Sequence, residues 1–101
     1  MKRKPTISHD EAMVQSLRTD PELAVEYLKA ALEADDDPKI LLMALRRIAE
    51  ARGGIAQVAK RAGIERESLY RALSPSGNPR LSTLIAVAKA VGLRLTVEAT
   101  G

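Results

Sequence analysis

The chain has 101 residues, with 16 Lys or Arg, 13 Asp or Glu, one His, two Tyr and no Cys, Phe or Trp. That length suits one domain with a modest core, which must be built from Leu, Ile, Val and Ala. The composition excludes a disulfide framework and an ordinary zinc site, and no apolar run approaches the roughly eighteen residues of a membrane span. Met1-Lys2-Arg3-Lys4 leads into Pro5 rather than an apolar signal core, so a cytoplasmic location is expected.

The charge is divided along the chain. Lys2, Arg3 and Lys4 sit in residues 1–7, nine acids face only Arg18 and Lys29 over residues 8–38, and eleven Lys or Arg face four Glu over residues 39–101. An acidic front on a basic back fits a protein with two partners of opposite charge.

Taken in order, residues 1–7 read as a basic, disordered arm. An acidic helical segment is expected over 8–37. Ser8 caps a first helix running to about Leu17, and Asp20-Pro21-Glu22 is the start signal of a second. In that second helix Leu23, Tyr27, Leu28, Ala31 and Leu32 form an apolar stripe. Asp35-Asp36-Asp37-Pro38 repeats the cap-proline device and opens a third helix packed through Ile40, Leu41, Ala44, Leu45 and Ile48. Three adjacent carboxylates lack the alternating ligand spacing of a calcium loop, so a capped turn is the reading and no metal is expected.

Residues 38–92 then read as a helix-turn-helix DNA-binding domain. Within IAQVAKRAGIERESLYRAL, residues 55–73, Val58, Ala59 and Ala62 give a first short helix an inward face. Gly63 supplies a residue that tolerates φ > 0, Ile64 anchors the turn, and Leu69, Ala72 and Leu73 line a second helix. Together these make a helix-turn-helix. Ser74-Pro75-Ser76-Gly77-Asn78-Pro79 is a loop by composition. Ser82 is expected to cap a last helix ending at Gly92, with Leu84, Ile85, Val87, Ala88 and Val91 inward. Leu93, Leu95 and Val97 alternate with polar residues as a short C-terminal strand over 93–101. A lone strand leaves its backbone unpaired, so it calls for a second copy or another protein.

In such a motif the second helix offers its outward side chains to base edges in the major groove. Here these are Arg66, Glu67, Ser68, Tyr70 and Arg71. An Arg suits a bidentate contact to guanine, and Glu67 either accepts from cytosine or orients an arginine. Arg52, Gln57, Lys60, Arg61, Asn78 and Arg80 surround the motif as candidate phosphate contacts. His9 stands without a nucleophile or paired carboxylate, and no phosphate loop or ligand series is present. Catalysis and a cofactor are therefore not expected.

The run GIAQVAKRAGIERESLYRALSPSGNPRLSTLIAVAKAVGLRLTVEA, residues 54–99, resembles HigA-type addiction-module antidote proteins with a lambda-repressor-like (Xre-type) helix-turn-helix. RESLYRALSPSGNP (66–79) and GLRLTV (92–97) carry the most specific part, and YLKAALEADDDPKILLMALRRIAEARG (27–53) resembles the preceding helices. The resemblance implies an all-α bundle that binds operator double-stranded DNA as a homodimer. It also implies an antitoxin that neutralises a small basic RelE/ParE-like (HigB-type) toxin and represses its own operon. Gln57, Arg66, Glu67, Ser68, Tyr70 and Arg71 fall on the family's DNA-reading segment, and Ser76 to Pro79 on its signature loop. Ala56 departs from the Thr frequent near the start of the first motif helix. A basic toxin would suit the acidic helices, with Tyr27, Leu28, Leu32 and Glu33 as candidate contacts. Two other readings stand beside this one: a stand-alone transcriptional regulator, and an interaction module that no longer binds DNA.

Overall fold

The structure, a computed structural model, describes residues 8–34 and 37–100. The basic arm, Asp35, Asp36 and Gly101 lie outside the described residues. Among the described residues the chain is all-α, with six helices: α1 (His9–Thr19), α2 (Pro21–Glu33), α3 (Pro38–Ala51), α4 (Ile55–Ala62), α5 (Arg66–Ala72) and α6 (Leu81–Ala90).

The first three helices begin where local chemistry directs them. Ser8 Oγ accepts from the Glu11 amide at 3.1 Å, with Asp10 and Glu11 in the first turn and Arg18 in the last. Asp20 serves two helices at once. Its amide closes α1 by donating to the Ser16 carbonyl at 3.0 Å, and its extended backbone opens α2 at Pro21, although its carboxylate makes no capping bond. Asp37 accepts from the Lys39 amide at 3.0 Å, and Pro38 takes the first position of α3, where its missing N–H costs nothing.

α3 is the element on which the rest assembles. α1 and α2 pack along it and against each other, its C-terminal end meets α4, and α4 carries both α5 and α6. One continuous core joins the two halves: Leu17 and Leu28 from the first pair, Leu42, Leu45 and Ile48 from α3, and Val58, Leu69, Leu73, Val87 and Val91 from the rest. Each such aliphatic side chain contributes about 1.5–3 kcal/mol on burial. That matters most for α4 and α5, which are eight and seven residues long. Helices of that length do not persist alone, so tertiary packing holds them.

Three expectations are corrected. Residues 93–100 form no strand: Leu93 rests on the core, while Leu95 and Val97 are exposed. A strand exists through its pairing, and nothing among the described residues offers an edge to receive it. Ser82 does not cap α6. Arg80 is the N-cap residue, and its carbonyl accepts from the Leu84 amide at 3.1 Å, which places Ser82 inside the first turn. Leu32, Ile40 and Ile85 belong to apolar stripes yet lie exposed, because each stripe is wider than the neighbour that covers it.

Candidate nucleic-acid interface

α4 ends because Gly63 takes the left-handed conformation (φ 70°), open to glycine at no steric cost. The Ile64 amide can then donate back to the Ala59 carbonyl at 2.9 Å, and the chain turns sharply into α5. Beyond α5, Ser74 Oγ donates to the Arg71 carbonyl at 2.7 Å and the Gly77 amide to the Ser74 carbonyl at 2.8 Å. Gly77 presses so closely on the helix end that a Cβ there would lie 2.1 Å from the Ala72 carbonyl oxygen. The loop is therefore wound onto the end of α5.

This frame buries Leu69 completely and leaves Arg66, Glu67, Ser68, Tyr70 and Arg71 exposed around it. Ser68 and Arg71 share a groove of about 290 Å³ with Asn78, so the signature loop and the second motif helix form one surface. Lys60, on the last turn of α4, and Arg80 are also exposed, as is Gln57 in the first turn of α4.

Two of the expected phosphate contacts have work inside the molecule. Arg52 donates to the carbonyls of Leu17 (3.2 Å) and Pro21 (3.4 Å), tying the α1–α2 corner to the end of α3. Arg61 donates to the carbonyls of Arg52 (3.0 Å) and Ala90 (3.4 Å), at the ends of α3 and α6. The Leu17, Arg52 and Ala90 carbonyls lie at helix C-terminal ends and have no partner within their helix, so these guanidiniums satisfy them.

The candidate toxin residues divide in the same way. Leu28 is core, and Tyr27 is half-buried with its hydroxyl accepting from Arg47 Nη1 at 2.8 Å. Leu32 and Glu33 face solvent.

Two functional candidates escaped the sequence reading, and they are consecutive. Arg47 bonds Tyr27 and forms an ion pair with Asp10. Partial burial works against its charge, but the bonds to Tyr27 and Asp10 outweigh this and hold the guanidinium more firmly protonated than usual. Arg46 points the other way. Its Nη2 donates to the Tyr70 hydroxyl at 2.8 Å, and its guanidinium carbon lies 4.7 Å from the centroid of that ring. The signal in the sequence was compositional: two adjacent arginines in the middle of a mostly apolar helix, in a chain with two aromatics.

The model of a family described as "Probable addiction module antidote protein" matches residues 9–99. An uncharacterised protein of Haemophilus influenzae strain Rd is 39% identical over 89 residues, spanning 88% of this chain and 89% of its own length. No solved structure matches the chain. The match spans all six helices and the segment after them, and the chain belongs to the addiction module antidote family.

Proposed function

We propose that the chain is the antitoxin of a type II toxin–antitoxin module, of the HigA kind, which binds its toxin directly and represses its own operon. Membership of an antidote family brings a toxin partner with it. The further identification of that partner as a small basic RelE/ParE-like toxin is supported by the acidic exposed side of α2, where Glu22, Glu26 and Glu33 accompany Leu32. The buried Leu28 acts there only by holding the face in shape.

The observation that carries the DNA-binding part is the second motif helix. Its single fully buried residue, Leu69, fixes the helix axis while five polar or amphipathic side chains project outward. In a lambda-repressor-like, Xre-type docking, Arg66, Glu67, Ser68, Tyr70 and Arg71 read bases. Lys60, Gln57, Asn78 and Arg80 set the register on phosphates, with Arg52 and Arg61 bracing the frame. Domain roles follow: 8–37 for the toxin, 38–92 for DNA, and Leu93, Leu95 and Val97 for pairing in a homodimer or with the toxin. The reading is that of a binding protein without cofactor.

The test is to induce the neighbouring small reading frame alone and together with this chain. Growth arrest alone, rescue on co-expression and a stable complex on co-purification are expected. The complex or the free chain should also retain a duplex from upstream of the pair, with affinity that falls steeply as salt rises. A harmless neighbour would leave a stand-alone regulator, and binding indifferent to salt would leave an interaction module.

A further inference from the structure

We propose that Arg46 is a positioning residue for the reading face of α5, fixing the Tyr70 side chain before DNA arrives. The inference rests on the DNA-binding reading above and adds to it a residue that lies outside the helix-turn-helix, 24 positions from the ring it holds.

The geometry is specific. A hydrogen bond of 2.8 Å fixes the far end of the Tyr70 side chain, and the guanidinium lies against the ring at 4.7 Å from its centroid. Two contacts of different direction on one ring settle both its position and its tilt. The anchor is stiff because Leu45 and Ile48, on either side of the Arg46-Arg47 pair, are core residues of α3. Tyr70 remains half exposed. Arg66 and Glu67 lie one turn earlier on the same side of the helix, so a fixed ring forms a wall beside both.

The chemistry of the hydroxyl strengthens the case. It accepts from Arg46, which can only donate, so its own proton is left for an acceptor outside the protein. A hydroxyl that accepts a charge-assisted bond is also a better donor. Without Arg46 the ring must be immobilised when DNA binds. The usual cost of ordering one such side chain corresponds to roughly a 2- to 10-fold loss of affinity.

The experiment measures binding to a duplex selected by the wild-type protein from a randomised pool, over a range of salt. Arg46→Ala should weaken binding roughly 2- to 10-fold with an unchanged salt slope. In a Tyr70→Ala background the same substitution should cause no further loss. Arg46→Lys keeps the charge and a donor but not the planar, delocalised guanidinium, so it should recover part of the affinity. Thermal melting of each variant confirms the fold. Unchanged affinity for Arg46→Ala would overturn the proposal. So would an equal loss in the Tyr70→Ala background with a slope shallower by about one, the mark of a direct phosphate contact. A wild-type protein that selects no sequence at all would overturn the DNA-binding reading, and the role of Arg46 with it.

Discussion

The two halves of the molecule meet on α3 but organise their helices by different means. In the first half, side-chain caps begin two of the three helices: Ser8 and Asp37 cap α1 and α3, and Arg47 and Arg52 tie the acidic helices to α3. In the second half none of α4, α5 or α6 has a side-chain N-cap; α4 ends on backbone bonds at Gly63, and Ser74 and Arg61 reach carbonyls at the ends of α5 and α6. The difference teaches where polar side chains can be spent. A half that uses its polar groups on itself has fewer to offer a partner. The second half begins its helices without side-chain caps, and Arg66, Glu67, Ser68 and Arg71 stay outward.

Six substitutions would break or sharpen that contrast. Leu69→Ala removes the fully buried anchor of α5 and should cost about 2–5 kcal/mol in denaturant unfolding. Because the core is continuous through α3, a single transition is expected. Two separated transitions would mean that the halves are independent units. Arg66→Ala and Arg71→Ala should leave the melting temperature nearly unchanged while weakening operator binding by about 1–3 kcal/mol, with relaxed preference at the contacted base pair. Equal losses on operator and random DNA would make them phosphate contacts.

Gly77→Ala tests whether the loop is truly wound onto α5. With the Ala72 oxygen 2.1 Å from the new Cβ, something must shift, and about 1–3 kcal/mol of stability should be lost. A neutral result would mean that the loop is free to move away. The capping contrast gives the smallest pair. Asp37→Ala should cost about 1 kcal/mol in thermal or chemical melting. Ser82→Ala, whose hydroxyl makes no capping bond, should stay within about 0.5 kcal/mol. A reversed order would undo the division of labour between the halves.

What the sequence revealed and what it hid divide along the range of the interactions. Ser8, Pro21, Pro38 and Gly63 act within a turn of themselves, and a reader of the chain finds them. Leu69 and Val58 follow from spacing. Arg46 and Arg47 do not, because their partners lie 24 and 20 residues away and only the packing of α5 and α2 on α3 brings the rings within reach. Arg52 and Arg61 were legible as cations near the motif. Their engagement of helix-end carbonyls depends on how the helices converge, which charge and periodicity do not encode. Ser82 misled because Ser before an apolar run is a sound local signal, yet here the helical hydrogen-bond ladder had already begun at Arg80.

The pairing of two neighbouring arginines with the chain's two aromatic rings has an optical consequence. With no Trp and no Phe, all near-ultraviolet absorption and emission from aromatic side chains comes from Tyr27 and Tyr70, and each ring is bound to one side of α3. Tyr27→Phe leaves a protein whose one tyrosine watches the second motif helix, while Tyr70→Phe leaves the tyrosine that watches the acidic pair. The molecule thus carries its own two-channel reporter. Occupancy of either face can be followed without attaching a label to the surface under study.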